Sequence, residues 1–136
     1  MADKRVTGIG GIFVRAENPS SLARWYAEKL DVPLEGGIPD TDSEGPVTAM
    51  FKWRDQDNAD RIGSTVWAIF PKATDYLGDG PVMINYRVED MDAVLKALES
   101  EGVWVDPHRE DHEYGRFAWI RDPEGNRIEL WQPLGE

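Results

Sequence analysis

The chain has 136 residues, 40% hydrophobic and 30% charged, and no cysteine. That predicts one domain with its own core and excludes disulfide frameworks, thiolate nucleophiles, iron–sulfur clusters and cysteine-ligated zinc. Fifteen Lys and Arg against 26 Asp and Glu give a net charge of −11, which repels a phosphate backbone and argues against a nucleic-acid partner.

The opening MADKRVTG has no apolar core, and the longest strongly apolar run, 66–70, is far too short to cross a bilayer. The expectation is therefore a cytoplasmic chain with neither secretory signal nor membrane span.

Residues 8–15 read as a strand. Asn18 followed by Pro19 opens a helix, with Leu22, Trp25, Tyr26 and Leu30 as its apolar stripe and Asp31 at its end. A short strand is expected at 32–35, then a loop at 36–46. Strands at 48–53 and 65–70 follow, separated by a loop at 55–63. After a further loop at 71–80 comes a strand at 82–88. A second helix starts at Asp90, buries Met91, Val94, Leu95 and Leu98, and stops at Gly102. A short piece at 103–105, a loop PHREDHEY, and strands at 116–121 and 127–132 complete the chain.

The order β-α-β-β-β occurs twice. Ile12, Val14 and Ala16 before the first helix correspond to Ile84, Tyr86 and Val88 before the second, and Arg15 to Arg87. The fold expected is α+β: one domain, residues 1–136, of two βαβββ modules at about 5–71 and 80–134. One module alone has too few strands to bury its own sheet.

Strand alternation assigns faces. If Ile12 and Val14 lie under the first helix, then Gly11, Phe13 and Arg15 point the other way; likewise Ile84, Tyr86 and Val88 leave Met83, Asn85 and Arg87 opposite. Ile128 and Leu130 as core turn Arg127, Glu129 and Trp131 outward from it. Phe117 and Trp119 alternate with Ala118 and Ile120, and periodicity leaves open which pair faces which side. Two facing sheets would gather Phe13, Arg15, Met83, Asn85, Arg87 and Glu129 around a concavity of apolar walls and few polar groups, as in small-molecule sites. The alternative is a second core between sheets, made costly by its charged residues.

The string RDPEGNRIEL, 121–130, is a tight turn in which Pro123 presets the bend and Gly125 supplies a positive φ. With GIFVRAENPSSLARWYAEKLDV and INYRVEDMDAVLKALESEGVWV, it resembles the vicinal oxygen chelate superfamily, which includes glyoxalase I, bleomycin-resistance proteins and extradiol dioxygenases. The resemblance covers about 8–35 and 82–133. It implies paired βαβββ modules curled around a central cavity and, in metal-dependent members, His, Gln or Glu ligands at matching strand positions.

Those positions fall here on Gly11, Met83 and Glu129, with a fourth near Trp67. Glycine and tryptophan offer no donor, and a thioether suits a hard or borderline divalent ion poorly. The resemblance therefore implies no metal and no other cofactor. It further implies that Arg15 holds an anionic tail and that Phe117 and Trp119 line the apolar part of the pocket. Homodimers are common among such proteins.

His108 and His112 stand four apart in a stretch read as a loop, where helical ligand spacing has no meaning; Tyr114 beside them could close over a pocket mouth. Glu129 is either a general base or acceptor in a low-dielectric pocket, or the salt-bridge partner of Arg15 or Arg87. Gly8, Gly10 and Gly11 lack the third glycine of a dinucleotide fingerprint, its place being taken by Phe13.

The expected function is metal-independent binding of a small apolar or aromatic ligand with a polar or anionic end. Phe13, Trp67, Met83, Tyr114, Phe117 and Trp119 would supply the walls, and Arg15, Asn85 and Arg87 would orient the ligand. Two alternatives stand beside it. One is a lyase, isomerase or dioxygenase-like enzyme with Glu129 as base or sole inherited ligand; the other is a protein-interaction module.

Overall fold

The fold is known from a computed structural model, which describes residues 5–42 and 45–135; positions 43 and 44 of the loop at 36–46 lie outside the described residues. The elements are β1 (Val6–Ala16), α1 (Pro19–Leu30), β2 (Val47–Arg54), β3 (Ile62–Pro71), β4 (Val82–Val88), α2 (Met91–Ser100), β5 (Val105–His112), β6 (Gly115–Arg121) and β7 (Arg127–Pro133).

Both helices begin where the sequence puts a cap. The Asn18 side chain accepts from the Ser21 amide, and the Asp90 side chain from the Ala93 amide, each satisfying one of the free N–H groups of a first turn. Asp31 closes α1 in the left-handed conformation at φ 57°, and Gly102 follows α2 at φ 84°.

The strands form one open sheet in the order β2-β3-β1-β4-β7-β6-β5, not two sheets facing each other. β1 and β4 pair antiparallel at its centre, with Ile12 opposite Ile84 and Phe13 opposite Met83. β1 also pairs parallel with β3, and β4 parallel with β7. Pairing β1 with β4 satisfies backbone groups that each half of the chain would otherwise leave at an edge.

The helices cover one face. Ala23 and Ala27 of α1 pack with Leu34, Val47, Ala49 and Ile69; Met91, Val94 and Leu95 of α2 pack with Val88, Ala118 and Leu130. The stripe of α2 is the expected one, whereas α1 turns its small residues inward. Pro19, Ser20, Ala23 and Ala27 are its buried positions, and Leu22 and Tyr26 flank them. Trp25 and Leu30 are 50% and 61% exposed. Apolar spacing located that helix correctly but not its closest face, because small side chains let its backbone approach the sheet.

Two local expectations also change. The short strand at 32–35 is a single bridge between Leu34 and Ala49. The PHREDHEY loop is instead most of β5, an edge strand paired with β6, with a register shift between Val105 and Arg109 that accommodates Pro107. Charged side chains there do not oppose strand formation; on an edge they discourage pairing with another chain.

Candidate functional site

The face away from the helices is concave. Trp53 on β2 and Trp131 on β7 both reach the Arg87 guanidinium on β4, at 5.4 and 4.9 Å from ring centre to charge. β2 and β4 are three places apart in the sheet, about 14 Å if it were flat. Alternation brings Phe13, Met83, Asn85, Arg87, Trp119 and Glu129 to this face, all buried, with Phe117 packed beside them. The register also decides between the two alternating pairs on β6. Trp119 lies opposite Glu129 on β7, while Ala118 and Ile120 belong to the cluster under α2.

Glu129 is 1% exposed. One carboxylate oxygen accepts from Asn85 Nδ2 at 2.6 Å; the other accepts from Trp119 Nε1 at 3.0 Å and from the Tyr76 hydroxyl. Burial raises its carboxyl above the ordinary glutamate value, against the opposing effect of these three donors and of the Arg127 charge. Its hydrogen-bond partners among the described residues are thus neutral donors, and the salt bridge to Arg15 or Arg87, one of the two alternatives read from the sequence, does not form. Tyr76 is raised in turn, first by burial and then by the Glu129 charge, so its hydroxyl stays a donor at neutral pH.

Tyr76 was not among the residues singled out from sequence. It belongs to the β3–β4 connection, which lies across the concave face and adds Leu77, 1% exposed, to its apolar cluster. The only signal was an adjacent apolar pair in an otherwise polar loop. Arg15 holds this segment. Its guanidinium donates to the Gly80 carbonyl at 2.9 Å, the Lys72 carbonyl at 3.0 Å, and the carbonyls of Thr74 and Gly78.

Toward the other end of the face, Arg87 also donates to the Ser64 carbonyl at 3.2 Å. A cavity of about 280 Å³ opens beside it, lined by Thr7, Trp53, Arg61, Val88, Glu89 and Leu134; Glu129 lies outside that cavity. The glycines near the chain start make room for these rings. A Cβ on Gly8 would meet Trp53 at 2.8 Å, and one on Gly10 would meet Trp131 at 2.9 Å. Asn85 Oδ1 and Trp131 Nε1 are buried without a hydrogen-bond partner among the described residues.

Two predicted site residues lie elsewhere. Trp67 points to the helix face, with its ring 5.3 Å from that of Tyr26. Strand alternation puts Val66, Ala68 and Phe70 on the concave side instead. Tyr114 sits in the turn between β5 and β6, 64% exposed, and stacks on His112. His108 and His112 both approach the Glu110 carboxylate, at 3.0 and 3.2 Å, and His108 stacks on Trp119.

The inherited chelating positions do not fit a metal ion. Gly11 offers no donor atom, and a Cβ there would meet the Phe13 ring at 2.7 Å, so a ligating side chain would have to displace that ring. Met83 is enclosed in the apolar cluster, and both Glu129 oxygens are taken by hydrogen-bond donors. Among the described residues, no group of three His, Cys, Asp or Glu is placed to hold a metal ion.

Solved structures share this architecture. Methylmalonyl-CoA epimerase from Mycobacterium tuberculosis is 21% identical, with 98% of this chain and 92% of that one covered at a TM-score of 0.64. A Streptomyces coelicolor methylmalonyl-CoA epimerase in complex with 2-nitronate-propionyl-CoA is 17% identical, covering 94% and 98% at 0.65. A glyoxalase/bleomycin resistance protein/dioxygenase superfamily member from Vibrio splendidus is 9% identical, covering 91% and 97% at 0.56. At these identities the likeness concerns the fold. No curated protein sequence matches the chain. The family model of the glyoxalase/bleomycin resistance protein/dioxygenase superfamily matches residues 8–130, and with the α+β sheet described above this makes the chain a member of that superfamily.

Proposed function

We propose that the protein binds a small apolar or aromatic molecule with a polar or anionic end on its concave face, independently of a metal ion. The observation that supports this is Glu129, a carboxylate kept among aromatic rings with its oxygens met by Asn85, Trp119 and Tyr76. A buried charge is a poor way to fill a core, since an apolar side chain of similar volume serves stability as well or better. An aromatic concavity with few polar groups is the makeup of a ligand site. In this reading Phe13, Met83, Phe117 and Trp119 are walls, Asn85 and Glu129 the polar floor, and Arg87 the cation beside the open cavity. Arg15 acts indirectly, through the segment it holds.

The test is titration with phenylacetate and indoleacetate, followed by tryptophan fluorescence, before and after exhaustive chelation. Saturable binding of unchanged affinity is expected, weakened about tenfold in Arg87→Met by loss of a charge-assisted contact. Binding that requires added zinc or manganese, or no binding of either probe, overturns the proposal.

The raised carboxyl of Glu129 favours a second reading, an isomerase or lyase with Glu129 as base. It predicts incorporation of solvent deuterium into a bound substrate, abolished in Glu129→Gln. The proposal further includes a cytoplasmic homodimer; sedimentation of the purified chain tests the dimer, and cell fractionation tests the location.

A further inference from the structure

The polar floor of the concave face carries a phenol supplied by the chain itself. The Tyr76 ring stacks on Phe70 at 5.5 Å and 12°, lies 6.3 Å from Phe13, and meets Trp119 edge-on at 6.4 Å, while its hydroxyl donates to Glu129. A free hydroxylated ring would need the same things: apolar faces on its sides and an acceptor at its oxygen.

The segment that carries this ring is a strap laid on the sheet. Residues 72–80 belong to none of the strands. Its backbone bonds include two local turns, Thr74 N–H to the Pro71 carbonyl and Gly78 N–H to the Asp75 carbonyl, and one anchor, Lys72 N–H to the Ala16 carbonyl. The side chains of Arg15 and Arg127 hold its carbonyls. Lys72, Ala73, Asp75 and Asp79 are exposed. Tyr76 can therefore leave without breaking a β-ladder bond. Its departure removes one of the two donors on the Glu129 oxygen that Trp119 also meets and leaves part of that oxygen's acceptor capacity unmet among aromatic rings; unmet buried acceptor capacity is costly, so the place selects a guest that donates.

We propose that the site around Glu129 takes a hydroxylated aromatic ring, a phenol, which replaces Tyr76 as strap 72–80 lifts from the sheet. This rests on the concave face being the binding site and names the chemical class it admits. A carboxylate guest is repelled there by Glu129, so any anionic end of the ligand must lie away from it, on the side of Arg87.

The test uses the intact protein with p-cresol, which reproduces the tyrosine side chain, and toluene, which lacks only the hydroxyl. Fluorescence titration is paired with amide hydrogen exchange over residues 72–80. Saturable p-cresol binding that speeds strap exchange is expected, with toluene weaker by about tenfold or more because it does not replace the bond that the Tyr76 hydroxyl gave to Glu129. Tyr76→Ala should bind p-cresol about tenfold tighter than the parent, since no stand-in has to be displaced. Arg15→Gln, which loosens the strap while keeping Tyr76, should shift affinity the same way and serves if Tyr76→Ala does not fold. Equal binding of p-cresol and toluene, or unchanged or slower strap exchange on p-cresol binding, overturns the inference. If phenylacetate binds and p-cresol does not, the phenol inference falls while the concave-face reading stands; if neither binds, both fall.

Discussion

Arg15→Met tests the clamp on the β3–β4 strap. Methionine keeps an apolar stem of similar length and removes the five N–H donors, so any loss reports the guanidinium rather than packing. Four strap carbonyls accept from Arg15. The bond to Lys72 is exposed, and water replaces it at little cost. The bonds to Gly80, Thr74 and Gly78 are part-buried; at about 1 kcal/mol net each, they sum to about 3 kcal/mol. With a urea slope of about 1.5 kcal/mol per molar, the unfolding midpoint should fall by about 2 M. Tryptophan fluorescence follows the transition, and hydrogen exchange should show the amides around Tyr76 losing protection first. Arg15→Lys, whose compact ammonium cannot span the four carbonyls, should fall between parent and Met. A midpoint change equivalent to less than about 0.5 kcal/mol, the ordinary range for an inconsequential surface change, would refute the assignment of Arg15 as the strap's clamp.

Other outcomes follow from the same geometry. Because burial raises the Glu129 carboxyl, the folded protein holds that proton at pH values where the unfolded chain has released it, and this group's contribution to stability declines as pH rises above the ordinary glutamate range. Glu129→Gln removes that decline, so between about pH 5 and about pH 8 the urea midpoint of the variant should rise relative to the parent; parallel profiles would show that Glu129 titrates normally. Asp106, Asp122 and the other carboxylates lowered by hydrogen bonds act in the opposite direction, losing stability as pH falls, and cancel in that comparison. Gly63→Ala places a methyl 2.4 Å from the Trp53 ring, which is also confined over Gly8. The expected loss is about 1–3 kcal/mol, read as a lower melting temperature, and an unchanged melting temperature would mean that the ring is not confined there.

Local chemistry was legible wherever one residue decides one backbone feature. Asn18 and Asp90 as caps, Gly102 and Gly125 in the left-handed region, and the stripe of α2 could be read directly from the chain. The alternation of β1, β4 and β7 likewise gathered Phe13, Met83, Asn85, Arg87 and Glu129 on one face, because a strand of known register has only two sides. Trp67 escaped that logic. Its strand is legible, but a family position near Trp67 does not say which side the ring takes; alternation with Ala68 does. β5 escaped because an edge strand needs no apolar face.

Residue order along the chain thus determined the α+β elements, their caps, and which side chains share a face, since each depends on neighbours within a few residues. Only the tertiary structure decided that one open sheet forms around the β1–β4 pair, that a polar connection folds back to set Tyr76 on Glu129, and that Arg15 grips that connection. The last two are contacts between residues 53 to 65 apart, and the β1–β4 partners lie 68 to 82 apart. Their existence depends on sheet curvature and loop path, quantities that no local pattern in the sequence encodes.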